Sequence, residues 1–281
     1  MTIKIVTDSS VQLTEQEIKD NNIHIIPLTI MIDGHSYVDD RDITRNEFMQ
    51  KMANAQELPK TSQPALGTFV DLFDKLGADG SQILAIHMMK AISGTVETAK
   101  QAATMSQSDV TVIDSDFTDR AMAFQVLAAA KLAAQGADMA TILAKVKQVH
   151  DHTKLYMGIV DLNNMVKGGR LSRVAGAISN LLNIKIILDV NKTLNVIQKG
   201  RGMKTINKFI DELVVKMANG PHIAAIGISH ADGLQTANKI KDKLQPLFPD
   251  LNILVRTTDP VIATHAGAGA FAIMYYTDED K

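Results

Sequence analysis

Residues 83–115 read ILAIHMMKAISGTVETAKQAATMSQSDVTVIDS, and this stretch decides the fold class. The apolar runs at 83–88 and 110–113 are typical of buried strands, and residues 95–105 between them have the composition of a helix. A helical connection of this length joins strands that run parallel. The stretch therefore predicts a parallel β-α-β unit.

The alternation of strands and helices continues on both sides of this unit. A strand at 3–6 and a second apolar run at 23–32, interrupted at Pro27, precede it. An Ala-rich helix over 120–134 follows it. We therefore predict an α/β fold whose N-terminal domain, residues 1–153, has a mostly parallel sheet with flanking helices.

The pattern changes after residue 153. The predicted elements of this half are a helix at 172–182, strands at 155–160, 184–190, 193–198, 223–229 and 251–256, helices at 205–217 and 234–247, and a tight turn and terminal helix that fix His265. The strands on either side of Asn191-Lys192 have the spacing of a hairpin. Residues 154–281 are therefore expected to form a second α/β domain with a mixed sheet and helices.

Composition limits the classes of function. The chain has 281 residues, 21% of them charged, and a net charge of -2. The net charge argues against a basic face. With 4% aromatic residues and no Trp, the chain also has few side chains on which bases could stack. No nucleic-acid partner is therefore expected. Cys is absent, which excludes disulfides, thiolate metal sites and a Cys nucleophile. We see no signal peptide and no membrane-spanning apolar run, so we expect a cytoplasmic protein.

Small hydroxyl and acidic residues follow the strands predicted in the N-terminal half. Thr7-Asp8-Ser9-Ser10, Ser93-Gly94-Thr95 and Asp114-Ser115 each come after a strand. The carboxyl ends of parallel strands share one edge of a sheet, and open α/β sheets bind ligands at that edge. Thr61-Ser62-Gln63-Pro64 is expected at a helix start, where free amides favour an anion. Capping and turn formation also account for these residues, and both interpretations stay open.

Ionisable groups occur in three further places. The turn around His265 fixes an imidazole that can donate to an anion or exchange a proton, unless its role is structural. Residues 167–173, KGGRLSR, place Arg170 near a helix start, against the helix dipole. Such a placement indicates an anion or an acidic protein surface nearby. Arg201, between two glycines, has the same two explanations, and a solvated basic loop is the simpler one for both.

Several signatures of enzymes are missing. The chain has no G-x-x-x-x-G-K-[ST] loop and no G-x-S-x-G elbow, and His150 and His152 lack the spacing of a helical metal pair. We therefore expect no cofactor and no metal site. A Ser/His acyl hydrolase or acyltransferase, using Ser93 or Ser62 with His265, is the alternative function, although it lacks the elbow. DNA binding through residues 167–173 is a weaker alternative.

Taken in order along the chain, these motifs resemble the DegV family of bacterial lipid-binding proteins. The set comprises Thr7-Asp8-Ser9-Ser10, Thr61-Ser62-Gln63-Pro64, Ser93-Gly94-Thr95, Asp114-Ser115, Gly168-Gly169-Arg170-Leu171-Ser172 and Thr264-His265. The resemblance spans essentially the whole chain and implies two α/β domains that hold a long-chain fatty acid. The family includes the non-catalytic, fatty-acid-binding subunit of bacterial fatty acid kinase. That subunit presents the acid to a separate kinase subunit, which makes acyl phosphate for phospholipid synthesis.

The resemblance also implies roles for single residues. Thr61, Ser62, Ser93 and His265 would surround the carboxylate of the bound acid. Arg170 and Arg201 match basic positions that contact the kinase or an anion. The implied partners are the fatty acid and the kinase catalytic subunit, with transient membrane contact.

The chain departs from the family pattern at three positions. Ala266 and Ala268 stand where Thr and Pro are usual after the histidine, and Ile186 replaces the Pro that usually follows Lys185. The first two bear on how His265 is held. The imidazole itself is retained.

Overall fold

Three β-sheets organise the chain, and the computed structural model describes them over residues 2–175 and 183–278. The strands of the N-terminal half are β1 (Ile3–Asp8), β2 (His24–Ile26), β3 (Thr29–Ile32), β4 (His35–Val38), β5 (Lys60–Ser62), β6 (Gln82–His87) and β7 (Val110–Asp114). Those of the C-terminal half are β8 (Thr153–Ile159), β9 (Val174–Ala175), β10 (Ile184–Asn191), β11 (Thr193–Arg201), β12 (Ile223–His230), β13 (Leu254–Thr257) and β14 (Phe271–Thr277). The α-helices are α1 (Glu15–Asp20), α2 (Arg45–Asn54), α3 (Leu66–Gly77), α4 (Thr95–Met105), α5 (Asp119–Ala134), α6 (Met139–Asp151), α7 (Asn163–Lys167), α8 (Met203–Ala218), α9 (Leu234–Leu244) and α10 (Pro260–Ala266).

The first sheet is parallel throughout, in the order β2-β1-β6-β7, which confirms the predicted β-α-β unit. Its central strand β6 is buried on both faces, so its apolar residues form a continuous run. Ile83 and Ala85 pack with the side chains of α3 and α4. Leu84 and Ile86 point the other way, into the cluster that includes α5. The alternation of a strand thus distributes one apolar run between two layers of helices.

The second sheet is mixed, in the order β13-β12-β14-β8-β10-β11-β9. The terminal helix expected after His265 is wrong, because residues 271–277 form strand β14 between β12 and β8, antiparallel to both. Phe271 and Ile273 pack on one face and Ala272 and Met274 on the other. An apolar run buried on both faces does not reveal its period, so sequence alone cannot separate strand from helix here.

The hairpin predicted around Asn191-Lys192 is confirmed. Strands β10 and β11 pair antiparallel, with Asn191 opposite Thr193, and Lys192 in the turn has a left-handed φ of 57°. Of the helix predicted over 172–182, residues 176–182 lie outside the described residues. The part that is described consists of a 3-10 turn, Leu171–Arg173, followed by β9.

A small antiparallel sheet, in the order β4-β3-β5, is absent from the sequence-based prediction. The apolar run 23–32 divides at Pro27, so that β2 joins the parallel sheet and β3 joins this one. Strand β5 pairs Thr61 with Ile30 and Ser62 with Thr29. The expected place of Thr61-Ser62 at a helix start is therefore wrong, because α3 begins only at Leu66.

Helix α5 lies between the parallel and the mixed sheets. It contacts β1 and β6 on one side and β12 and β14 on the other, and one apolar cluster contains buried residues of both sheets. The domain boundary predicted after residue 153 falls at the first residue of β8, and stays a prediction. No α-helix in the described part of the chain is both long and apolar enough to cross a bilayer.

Candidate functional site

A cavity of about 290 Å³ opens between the two larger sheets, next to α10 and the end of β6. Its wall is formed by apolar side chains, namely Leu28, Met88, Ile92, Met157, Ile159, Met165, Leu194, Val261, Ile262 and Ala266. Its polar lining consists of Thr61, Gln63, Ser93, Gly94, Arg170, Arg173 and His265. Small-molecule sites have this character, with apolar walls and a few convergent polar groups. The volume lies near the lower end of their usual range, roughly 300 to 1,000 Å³.

His265 and Thr61 form the central polar contact of the cavity. The Thr61 hydroxyl lies 3.0 Å from His265 Nε2, and 204 positions separate the two residues in the sequence. Burial, aided by the positive charge of Arg170, lowers the pKa of His265 to about 4. The imidazole is therefore neutral at physiological pH, and it can both donate and accept a hydrogen bond.

Helix α10 holds His265 in place. The Asp259 carboxylate caps this helix by accepting from the amides of Val261 (2.8 Å) and Ile262 (3.1 Å). At the other end the Asn164 side chain donates to the Thr264 carbonyl at 2.8 Å. The last turn of the helix is therefore tied to α7.

Gly168 lies directly against the imidazole. A Cβ built on Gly168 would be 2.4 Å from His265 Nδ1, closer than any real contact of a Cβ. The Nδ1 atom is buried and has no hydrogen-bond partner among the described residues. Only glycine leaves room here for the ring.

Ser93 also faces the cavity, at the start of α4. Its hydroxyl is 2.8 Å from the Thr95 hydroxyl and accepts from the Thr95 amide at 3.2 Å. A serine nucleophile needs a base within hydrogen-bond reach. Within the described residues, His265 is hydrogen-bonded to Thr61 and Ser93 is hydrogen-bonded to Thr95. This arrangement therefore gives the hydrolase alternative no support.

Arg170 lies in the same lining, and Ser62 and Arg201 do not. The Arg170 guanidinium donates to the carbonyls of Gly168 (2.8 Å) and Ile92 (3.4 Å), which ties residues 168–173 to the loop after β6. Ser62 is exposed in β5, and Arg201 is exposed at the end of β11. The predicted roles of these three residues stay predictions.

The clusters predicted at the carboxyl edge of the parallel sheet do lie there, since β1, β6 and β7 are neighbours. Most of their polar groups form hydrogen bonds with other groups of the protein. Ser9 donates to the Asp39 carboxylate at 2.7 Å, and Ser115 donates to the Phe117 carbonyl at 2.9 Å. Asp8 accepts from the Met88 amide at 2.9 Å. The turn-forming interpretation therefore holds for Ser115, whereas Asp8 and Ser9 form long-range contacts within the protein. Among the described residues, only the cluster after β6 reaches the cavity.

Sequence reasoning did not assign roles to several residues at this site. Gln63 and Gly94 line the cavity side by side, and a Cβ on Gly94 would meet the Gln63 carboxamide oxygen at 2.3 Å. Asn164 belongs to none of the motifs that indicated a site in the sequence. Gly168 belongs to the glycine pair of residues 168 and 169, but its contact with His265 depends on tertiary structure.

The departures from the family pattern lie in and around the same cavity. Ala266 lines it, whereas Ala268 is exposed in the turn to β14. Gly267 and Gly269 flank Ala268 with left-handed φ angles of 79° and 83°. Ile186 is fully buried in β10, opposite Ile159.

Comparison with known proteins agrees with this architecture. A DegV domain-containing protein of Streptococcus pneumoniae is 47% identical over 273 residues, 97% of each chain. DegV of Bacillus subtilis, whose structure is described as that of a fatty acid binding protein, is 29% identical with a TM-score of 0.89 and covers 99% of this chain and 100% of its own. A fatty acid binding DegV family protein of Streptococcus agalactiae is 28% identical with a TM-score of 0.87, covering 99% of both chains. The model of the DegV family matches residues 2–278, and the chain therefore belongs to this family.

Proposed function

We propose that this protein binds a long-chain fatty acid in the apolar cavity, with the carboxylate at Thr61, Ser93 and His265. The observation that carries the proposal is that one cavity combines a wall of apolar side chains with a few polar groups, among them these three residues. Solved DegV relatives described as fatty acid binding proteins support it. Ser62 stays a predicted member of the carboxylate site, although its side chain is exposed.

The energetics of such a ligand fit the lining. Each buried methylene contributes about 0.8 kcal/mol, so the chain of a sixteen-carbon acid contributes roughly 12 kcal/mol before the costs of association. An enclosed carboxylate costs several kcal/mol unless it is hydrogen-bonded. The hydroxyls and the imidazole supply such bonds and fix the orientation of the acid.

In the proposed function the protein is not itself an enzyme and needs no cofactor. It presents the bound acid, in the cytoplasm, to a separate fatty acid kinase subunit. There a carboxylate oxygen attacks the terminal phosphorus of ATP, ADP leaves, and the acyl phosphate enters phospholipid synthesis. Arg170 and Arg201 are the proposed contacts with the kinase or with an anion, and loading of the acid involves transient membrane contact.

Identification of the bound lipid tests the first step. Mass spectrometry of denatured protein should release a fatty acid, and the delipidated protein should bind labelled palmitate or oleate with a stoichiometry near one. Protein that releases no lipid and binds neither acid would contradict the proposal. Formation of acyl phosphate from bound acid, with kinase subunit and ATP added, tests the second step.

A further inference from the structure

A second cavity, of about 830 Å³, is formed by both halves of the chain. None of its lining residues lines the first cavity. Part of its wall is apolar and consists of four side chains between β1 and β3 in the sequence, namely Leu13, Ile18, Ile25 and Pro27. The polar part comes from Glu15, from residues within 39–46, and from Arg256 and Thr257 of β13. We call this cavity the mixed cleft, because its lining is partly apolar and partly charged.

The mixed cleft carries charges of both signs. It is lined by three arginines and three acidic residues, namely Arg41, Arg45, Arg256, Glu15, Asp39 and Asp40. Arg41 and Arg45 are each paired with a carboxylate, at 3.1 and 3.2 Å respectively. Within the described residues Arg256 forms no ion pair. Its guanidinium therefore supplies an unpaired positive charge to the cleft.

The Arg256 guanidinium is held beside the apolar part of the wall. Its Nη1 donates to the Leu13 carbonyl, and the side chain of Leu13 belongs to that part. A guanidinium has five N–H donors in a planar fork, which matches the two oxygens of a carboxylate. The mixed cleft therefore offers a carboxylate site next to an apolar surface.

Two acidic side chains of the same lining have oxygen atoms left for a donor. Asp40 accepts from Arg45 through Oδ2, and its side chain is 45% exposed. Asp39 accepts from Ser9 through Oδ2, whereas its Oδ1 is buried and has no hydrogen-bond partner among the described residues. An oxygen buried without a partner has lost its hydration, so it favours the approach of a donor. The mixed cleft therefore also offers acceptors for an ammonium group.

We infer that the mixed cleft binds a small zwitterion with an aliphatic side chain, either a free amino acid or a short peptide. Its carboxylate pairs with Arg256, its ammonium group lies at Asp40 and Asp39, and its side chain packs on the apolar part of the wall. Small-molecule sites have volumes of roughly 300 to 1,000 Å³, so the cleft leaves room for either ligand. The inference goes beyond the proposed function, because the two cavities share no lining residue.

Titration of the full-length protein with L-leucine and with L-leucyl-L-leucine, followed by NMR, tests the inference. At least one of the two should bind. Two truncated analogues of leucine, 3-methylbutylamine without the carboxylate and 4-methylpentanoate without the ammonium group, should each bind at least about five-fold more weakly than leucine. Every titration is repeated with palmitate at saturation, which should displace neither leucine nor the dipeptide.

Substitutions in the cleft separate charge recognition from folding. Arg256→Gln should lower the affinity for the ligand that binds at least about ten-fold, and Arg256→Lys, which keeps the charge, should recover most of it. Asp40→Asn should lower it at least about five-fold. Asp40 has a left-handed φ of 53°, which Asn tolerates well. Lys131→Gln, at an exposed lysine of α5, is the control for loss of a charge and should bind like the unsubstituted protein.

Each other outcome has a definite meaning. The inference is overturned if neither leucine nor the dipeptide binds at about 10 mM, or if the truncated analogues bind as well as leucine. It is also overturned if Arg256→Gln binds normally, or if palmitate displaces the ligand, since the ligand would then lie in the first cavity. Binding of leucine alone identifies a free amino acid, and binding of the dipeptide alone identifies a peptide. Protein that binds leucine but not palmitate supports the inference and contradicts the proposed function.

Discussion

At the scale of single residues, the imidazole of His265 is held from two sides. The Thr61 hydroxyl forms a hydrogen bond with its Nε2, and Gly168 lies against its Nδ1. The burial of the ring and, to a lesser extent, the neighbouring charge of Arg170 keep it neutral by lowering its pKa to about 4. A neutral ring can donate to a carboxylate without the desolvation cost of a buried imidazolium.

Gly168→Ala should displace the imidazole, because the new methyl group would meet Nδ1 at 2.4 Å. We expect palmitate affinity to fall about three-fold, near 0.7 kcal/mol, measured by titration calorimetry. Gly67→Ala in α3 is the matched control, since a Cβ there meets no atom within 4 Å. Unchanged binding by the Gly168 variant would show that the ring is not positioned by this contact.

His265→Ala should weaken kinase-coupled phosphorylation more than lipid binding. In the proposed function the chain of the acid supplies most of the affinity, whereas the imidazole orients the carboxylate. We expect Kd for palmitate to rise less than about ten-fold and the rate of acyl phosphate formation to fall by about a hundred-fold or more. A large loss of affinity with a normal rate at saturating lipid would contradict this assignment.

At the scale of elements, strand β8 shows how one segment serves both the core and the site. Met157 and Ile159 point into the cavity, while Tyr156 points the other way and packs on Phe209 of α8. The period of two of a strand produces this division. The sheet thus contributes Met157 and Ile159 to the apolar wall, and the shape of the wall here depends on these two side chains.

Met157→Trp should block the cavity, because a larger ring at this position occupies space that the acyl chain needs. We expect at least about a ten-fold loss of palmitate affinity, with a far-UV circular dichroism spectrum like that of the unsubstituted protein. Met105→Trp is the control for the same change at a position that is 58% exposed. If Met157→Trp binds palmitate normally, the acyl chain does not pass this residue.

At the scale of the whole molecule, polar contacts join the two halves around the cavity. Arg45 of α2 donates to the Thr257 carbonyl at 3.1 Å, and Thr258 donates to the Asp119 carboxylate at 2.6 Å. Asp39 lies in the same buried region, where burial and the neighbouring charge of Asp40 raise its pKa to about 7. The contacts of Arg45 and Thr258 therefore join α2 and α5 of the N-terminal half to the end of β13.

The raised pKa of Asp39 predicts a pH-dependent stability. An unfolded Asp titrates near 3.8 and the folded one near 7, so the folded state binds more protons between these values. Stability therefore falls as pH rises from about 4 to about 7. Asp39→Asn removes the buried charge and should raise the free energy of unfolding at pH 8 by on the order of 1 kcal/mol, or roughly 2–4 °C in Tm.

Thermal unfolding at several pH values checks this expectation. The gain in Tm should be present at pH 8 and should shrink toward zero by pH 5, where Asp39 is already protonated. Asp71→Asn, at an exposed position of α3, is the control and should show no such trend. A Tm difference for the Asp39 variant that does not change with pH would mean that its carboxyl group does not titrate in this range.

The parallel sheet, the hairpin and the edge at which hydroxyl residues collect could all be predicted from the amino-acid sequence. The spacing of apolar residues along a strand or a helix reflects which of its faces is buried. This spacing can be recognised wherever one face is apolar and the other is polar. The motif around residues 93–95 and the isolated His265 were visible for the same reason, since their chemistry is local. The resemblance added the ligand, which no single motif indicates.

Which of these residues contact each other depends on the way the chain folds. Thr61 reaches His265 across 204 positions because β5 joins a sheet that the sequence did not predict, and β14 is a strand because β12 and β8 flank it. Ser9 and Ser115 were as plausible as Ser93 in sequence, but both are buried away from the cavity, whereas Ser93 lines it. Long-range pairing and packing leave no periodic pattern in the sequence. Because these contacts determine which of several similar side chains line the cavity, that choice could not be predicted from the sequence.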